Sequence, residues 1–164
     1  MKNWLKFLRN TNSIQEPELD NEVTDLLFVY GTLMRGFGRE HFLESPQKSR
    51  YLGEGRVQGL LYDVGEFPAL VPLPQDSGEE AWVTGEVFFL EQPDSVLNTL
   101  DIIEGVNHHY PERGLFRRET WPVEFQGETR LMWLYVYNQP VDDLRRITSG
   151  DYRTYCRDGA NFAL

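Results

Sequence analysis

The chain has 164 residues, of which 40% are hydrophobic and 13% aromatic, with a formal net charge of −10 and one cysteine. Its length predicts one globular domain, with a core large enough to need neither disulfides nor a metal. The acidic balance without a basic stripe argues against a nucleic-acid-binding protein, and no apolar run of about 18 residues is present to span a membrane. The lone cysteine, Cys156, favours a reducing compartment, so we expect a cytoplasmic protein.

The N-terminal half begins with a polar and acidic stretch, residues 1–25, which we expect to be a flexible leader. Residues 26–30 form a short continuous apolar run, which is typical of a buried central strand. Residues 51–64 carry β-type side chains with embedded glycines, which indicates a curved strand. Residues 67–78 are rich in proline, glycine and acidic side chains and are predicted to form a loop.

The C-terminal half contains one convincing helix and a hairpin. Residues 82–90 read as a strand, Pro93 is placed to open a helix, and Gly105 is placed to cap it in a left-handed conformation. Two further strands flank the turn at residues 126–128. With five or six strands to one convincing helix, we expect an α+β fold built on a small mixed β-barrel.

No repeat or interdomain linker divides the chain. We therefore expect a single domain over residues 26–157, followed by a C-terminal tail at residues 158–164.

The predicted helix carries a carboxylate on its apolar face. At about 100° per residue, Glu104 falls in the same stripe as Val96, Leu97, Leu100 and Ile103. Desolvation and the negative end of the helix dipole would both raise its pKa, which suits proton transfer near neutral pH. The alternative is that Glu104 frays past the helix end and is solvated. Asp101 lies on the rim of the stripe, where we expect it to contact solvent or a backbone amide.

The turn that follows the first strand, Tyr30-Gly31-Thr32-Leu33, is a candidate anion site. We expect Gly31 to adopt backbone angles closed to other residues. Successive N–H groups in such a turn can hold an anion such as a substrate carboxylate, and Thr32 adds a hydroxyl. The alternative is an ordinary turn that ends a strand.

Motifs for cofactors or metals are missing from the sequence. The glycines near residues 36–38 and 53–59 do not complete a dinucleotide fingerprint, and there is no Walker loop. Of the three histidines, His41, His108 and His109, the last two are adjacent in a predicted loop and poorly placed to bind one metal together. We therefore expect no cofactor and no metal.

Several short blocks, taken together and in order, resemble the gamma-glutamylcyclotransferase-like family, including its AIG2-like plant members and its bacterial members. The resemblance covers roughly residues 26–156. Its blocks are residues 28–33, 59–65, 67–69, 85–87, 100–105, 116–118, 133–137 and 149–151. Two departures fall near the expected pocket: Phe116 stands where the family often has tyrosine, and residues 108–114 lengthen the segment after Glu104.

The resemblance implies a small β-barrel whose cavity is closed by helices. It also implies that Tyr30, Gly31, Thr32 and Leu33 bind the α-carboxylate and amine end of a small γ-glutamyl substrate. Glu104 would be the base in an intramolecular acyl transfer that releases 5-oxoproline and a free amine without a cofactor. We expect a monomer.

Two alternatives remain open at this point. One is a non-catalytic module that binds a small molecule or a peptide end on the same fold. The other is an enzyme that acts on an unrelated amide or carboxylate in the same pocket.

Overall fold

A computed structural model describes residues 24–43 and 45–162 of the chain, with side chains described up to residue 159. Residues 1–23 of the predicted leader lie outside the described residues. The strands are β1 (Leu26–Val29), β2 (Ser49–Gln58), β3 (Leu60–Asp63), β4 (Pro68–Val71), β5 (Trp82–Leu90), β6 (Phe116–Phe125), β7 (Glu128–Tyr137) and β8 (Arg145–Arg146). The α-helices are α1 (Pro93–Ile103) and α2 (Tyr152–Phe162), and short 3-10 turns lie at Glu40–Phe42 and Pro111–Arg113.

The main sheet closes into a five-stranded barrel in the order β1-β5-β2-β6-β7. Strands β1 and β7 pair in parallel, whereas the other neighbours in the barrel are antiparallel. A second sheet has the order β4-β3-β8. This architecture confirms the predicted small mixed α+β barrel.

The hairpin between β6 and β7 follows its local sequence. Its two-residue turn places Gln126 at φ 51° and Gly127 at φ 77°, and the turn matches the right-handed twist of the flanking strands. Alternate residues of β7 then face the core: Met132, Leu134 and Val136 are fully buried.

Helix α1 begins with Pro93, as predicted, and ends in a glycine cap. Gly105 has φ 66°, its N–H donates to Ile102 O at 3.2 Å, and the N–H of Val106 donates to Asp101 O at 2.9 Å. These two hydrogen bonds satisfy carbonyl groups that the end of the helix would otherwise leave unpaired. The cap fixes Glu104 as the residue at which the helix stops.

Two parts of the second sheet differ from the prediction. Strand β4 lies within residues 67–78, which were predicted to be a loop, and it pairs with β3 from Leu60 opposite Val71 to Asp63 opposite Pro68. The predicted single strand over residues 51–64 is two strands that belong to different sheets and meet at Gly59. A Cβ on Gly59 would lie 2.7 Å from Leu70 Cδ1, so the break occurs where β4 crosses close to the backbone.

None of the described helices is long and apolar enough to cross a membrane.

Candidate active site

A cavity lies where the chain leaves β1. All four residues predicted to bind substrate line it, and so does the predicted base. The lining residues are Phe28, Val29, Tyr30, Gly31, Thr32, Leu33, Phe67, Pro68, Glu104, Phe116 and Tyr135. The structure therefore brings the turn and the carboxylate, which are about seventy residues apart in sequence, to one place.

Glu104 is buried, with 9% of its surface exposed. Its backbone N–H donates to Leu100 O at 2.8 Å, which keeps the residue attached to the last turn of α1. The alternative of a frayed, solvated side chain is therefore wrong. Burial raises the pKa of the Glu104 carboxyl from 4.5 to about 7, against the opposing effect of the positive charge on Arg39. The carboxyl can therefore both accept and release a proton near neutral pH.

The backbone N–H groups after β1 fall into two sets. Those from Met34 to Gly38 have acceptors, beginning with the turn bond from Met34 N to Gly31 O at 3.0 Å. Within the described part of the chain, the N–H groups of Gly31, Thr32 and Leu33 have no acceptor. Three successive unpaired N–H groups at the wall of a cavity can hold an anion.

Gly31 is required for a different reason from the predicted one. Its φ lies outside the left-handed region, so the expectation of special backbone angles is wrong. A Cβ at this position would lie 2.7 Å from Cγ and 2.8 Å from Cδ of Pro68 on β4. Glycine is needed here because a proline ring closes one side of the cavity against the backbone of the turn.

Two tyrosines connect the cavity to the barrel. The Tyr30 hydroxyl donates to Tyr135 O at 2.5 Å, and the Tyr135 hydroxyl donates to Asp101 Oδ1 at 2.7 Å. Burial, followed by the negative charge of Glu104, raises the pKa of Tyr30 well above its usual value. Burial and the hydrogen bond to Asp101 likewise raise the pKa of Tyr135. Both phenols therefore stay protonated and act as fixed donors.

Asp101 is part of a buried network, contrary to the expectation that it contacts solvent or a backbone amide. It is 2% exposed, and Arg118 Nη2 donates to its Oδ2 at 3.2 Å. Arg118 Nε also lies 2.9 Å from Asp101 Oδ1, but it is not aligned for a hydrogen bond. His108 Nε2 lies 3.1 Å from Oδ2. A buried carboxylate needs such partners, and here they come from β6, β7 and the segment after α1.

A match to a known protein family covers the barrel and identifies the family of the chain. Residues 27–154 match the family described as gamma-glutamyl cyclotransferase, AIG2-like. The chain belongs to this family. It is accordingly a gamma-glutamylcyclotransferase-like enzyme.

Individual family members resemble the chain over most of their own length. A candidate gamma-glutamylcyclotransferase of Vibrio cholerae is 34% identical over 129 residues, which cover 77% of this chain and 94% of the relative. The gamma-glutamylcyclotransferase family protein YtfP of Escherichia coli is 29% identical over 127 residues, which cover 77% of this chain and 94% of the relative.

Solved structures share the fold. The solution structure of Escherichia coli YtfP has a TM-score of 0.53 at 28% identity, covering 77% of this chain and 95% of YtfP. The crystal structure of an AIG2-like protein from Mus musculus has a TM-score of 0.56 at 22% identity, covering 76% of this chain and 86% of the mouse protein.

Of the two departures from the gamma-glutamylcyclotransferase pattern, Phe116 lines the cavity, whereas residues 108–114 are not among its lining residues. Phe116 is 4% exposed, and its ring centroid lies 5.7 Å from that of Phe67, so one side of the cavity is an aromatic wall without a hydroxyl from Phe116. The lengthened segment at residues 108–114 is anchored by Asn138, whose Nδ2 donates to Pro111 O at 2.9 Å and Gly114 O at 3.0 Å. Of the two, Phe116 is the one that borders the space beside Glu104.

Sequence reasoning missed the aromatic wall and the tyrosine–aspartate network. Phe67 was placed in a loop, and Tyr135 and Arg118 were noted only as parts of strands. Two signals could have suggested the network. Asp101 precedes Glu104 by one helical turn, and the arginine pair at residues 117–118 puts one cation on each face of β6.

Proposed function

We propose that this enzyme cyclises the γ-glutamyl group of a small substrate, releasing 5-oxoproline and a free amine. The observation that carries the proposal is that one cavity is lined both by Glu104 and by Gly31, Thr32 and Leu33, whose N–H groups have no acceptor among the described residues. The backbone N–H groups can bind an anion, and the Glu104 carboxyl can accept and release a proton.

The turn would hold the substrate's α-carboxylate. Among the described residues that line the cavity, Glu104 is the charged one, and none has a cationic side chain to bind an anion. Backbone N–H groups are therefore the donors available for a carboxylate, with the Thr32 hydroxyl as a further partner. This binding would place the adjacent α-ammonium within the cavity that Glu104 lines.

Glu104 would act first as a base and then as an acid. The α-ammonium gives a proton to the Glu104 carboxylate, and the resulting amine attacks the γ-carbonyl carbon of the same residue. A carbon–nitrogen bond forms to close a five-membered lactam, and the bond to the leaving amine breaks. Glu104 then returns this proton to the leaving nitrogen. The Glu104 carboxylate so regenerated takes the second proton from the ring nitrogen and passes it to the released amine or to solvent. A pKa of about 7 suits these transfers.

Because ring closure is intramolecular, the enzyme would accelerate the reaction chiefly by holding the substrate's γ-glutamyl group in a folded geometry. The aromatic wall of Phe67 and Phe116 and the proline ring of Pro68 border the space available for this folding. Such closure draws on positioning and on one proton carrier, which supports the expectation of a cofactor-independent reaction.

The test is a panel of γ-glutamyl amino acids, glutathione and γ-glutamyl-ε-lysine, with 5-oxoproline measured by mass spectrometry. The wild type should form 5-oxoproline from at least one compound, and Glu104→Gln should lose on the order of 10²- to 10⁴-fold in kcat. Glu112→Gln is a matched control, because its side chain is 70% exposed, and it should keep full activity.

A fully active Glu104→Gln variant would overturn the mechanism. If the folded wild type forms no product from any compound, the proposed reaction fails, and a non-catalytic binding module or an enzyme for a different amide becomes the better explanation.

The division into leader, domain and tail, the cytoplasmic location and the monomeric state stay predictions from the sequence. Size-exclusion chromatography with light scattering would test the oligomeric state directly.

A further inference from the structure

We propose that Glu86 is a positioning residue for the substrate-binding turn, an inference that rests on the proposed function. Glu86 lies on β5, directly opposite Val29, the last residue of β1. It is 4% exposed, although it is a carboxylate. A buried carboxylate is costly unless its oxygens are matched, so its partners show what the residue holds in place.

Both oxygens of Glu86 bind a single residue, Arg35, just beyond the turn. The backbone N–H of Arg35 donates to Oε1 at 2.7 Å, and its Nε donates to Oε2 at 2.8 Å. The guanidinium of Arg35 also lies 3.4 Å from the ring centroid of Tyr51. The contact with both main chain and side chain fixes the position and the direction of the chain at Arg35.

Helix α2 holds the other backbone group of the same residue. Arg153 Nη2 donates to Arg35 O at 2.8 Å and lies 3.9 Å from Glu86 Oε1. The Arg153 guanidinium also lies 4.9 Å from the ring centroid of Phe37. The N–H and the C=O of Arg35 are thus bound by side chains from β5 and from α2.

This anchoring matters because the turn itself has little internal hydrogen bonding. Between β1 and Arg35, one bond closes the turn, from Met34 N to Gly31 O, while the N–H groups of Gly31, Thr32 and Leu33 have no acceptor among the described residues. Their directions are therefore set by the two ends of the segment. Strand β1 fixes one end, and Glu86 fixes the other.

Glu86 does not line the cavity, so its effect on turnover would pass through the turn. A misdirected set of N–H groups would bind the α-carboxylate less well, whereas Glu104 would keep its proton chemistry. Loss of Glu86 should therefore raise KM more than it lowers kcat.

The experiment compares wild type with Glu86→Gln, Arg153→Met and Glu124→Gln, using the best substrate from the panel. Glu86→Gln removes the charge but keeps an oxygen for the Arg35 N–H. Arg153→Met removes the second anchor at a half-exposed side chain, so it stays informative if Glu86→Gln fails to fold. Glu124→Gln removes an ion pair of the same length, 2.8 Å to Arg56, on the barrel surface.

We expect KM to rise on the order of tenfold for Glu86→Gln and several-fold for Arg153→Met, with kcat changing less than KM. Amide hydrogen exchange over residues 31–38 should become faster in both variants, and Glu124→Gln should match the wild type in KM and exchange. Unchanged KM and unchanged exchange in folded Glu86→Gln and Arg153→Met variants would overturn the proposal.

The two proposals fail in different ways. If the wild type forms no 5-oxoproline, the proposed function fails, and hydrogen exchange alone then decides whether Glu86 positions the turn. If the wild type is active and the folded variants retain both its KM and its exchange rates, the reaction stands and the role of Glu86 is wrong.

Discussion

At the scale of single residues, Glu104 owes its chemistry to the point at which its helix ends. It is the C-cap residue between α1 and Gly105, so its backbone is held at the helix end while its side chain lines the cavity. Burial there favours the neutral acid, and the Arg39 charge favours the carboxylate, and the balance sets the pKa at about 7. The proposed base would thus be produced by burial and one nearby charge, because the described residues that line the cavity include no histidine and no second carboxylate.

This environment predicts a pH profile. The base must be unprotonated to accept the substrate's proton, so kcat/KM of the wild type should rise with pH, with a midpoint near 7. Well below that midpoint the rate should fall about tenfold per pH unit, since the carboxylate fraction falls by that factor. Initial rates of 5-oxoproline formation between pH 5 and 9 would measure it.

Arg39 provides the control for this profile. Its charge lowers the pKa of Glu104, so Arg39→Met should move the midpoint to higher pH. A profile without an inflection between pH 6 and 8 in either protein would contradict the assignment of Glu104 as the base.

At the scale of elements, α1 and its C-cap residue provide two carboxylates one helical turn apart, one for the barrel and one for the cavity. Asp101 holds Arg118 on β6 and the Tyr135 hydroxyl on β7, whereas Glu104 lines the cavity. The contacts of Asp101 fix the helix against the sheet. The position of Glu104 in the cavity depends on the helix being fixed in this way.

Asp101→Asn should destabilise the fold by about 3 kcal/mol, because it leaves the largely buried Arg118 guanidinium without a counter-charge. Urea unfolding followed by tryptophan fluorescence would measure the change. Asp94→Asn, an exposed site in the first turn of the same helix, should alter stability by less than about 1 kcal/mol. Equal effects from the two substitutions would show that the Asp101 network does not hold the helix to the sheet.

The elements that the sequence predicts well are those with local signals. Helix α1 with its glycine cap and the hairpin at Gln126 and Gly127 depend on residues near one another in the chain. Strand β4 was missed because four residues beginning with proline show no periodicity. The break at Gly59 depends on Leu70, which a reading of local sequence does not see.

The candidate site divides in the same way. The resemblance implies that the turn and Glu104 act on one substrate, and both line the same cavity. Asp101 was misjudged because a helix considered alone shows its rim but not the strands that cover it. Its partner Tyr135 lies 34 residues away, and the bond from Tyr30 to Tyr135 spans 105 residues. Such pairs arise from barrel closure, which local patterns do not encode.

At the scale of the whole molecule, the buried carboxyl of Glu104 should lower the stability of the fold at neutral and higher pH. The pKa of Glu104 is about 7 in the folded protein, whereas that of an unfolded glutamate is about 4.3. Between these values the folded state holds a proton that the unfolded state has released, so the free energy of unfolding falls as pH rises.

Glu104→Gln removes this dependence and should stabilise the protein at pH 8 by on the order of 3 kcal/mol, with little gain at pH 4.5. Urea unfolding of both proteins at the two pH values would test this, with Glu112→Gln as the exposed control. A variant that gains no stability at pH 8 would show that the Glu104 carboxylate is well solvated in the folded enzyme. A gain in stability that grows with pH would identify Glu104, the proposed base, as a site where activity is maintained at the expense of stability.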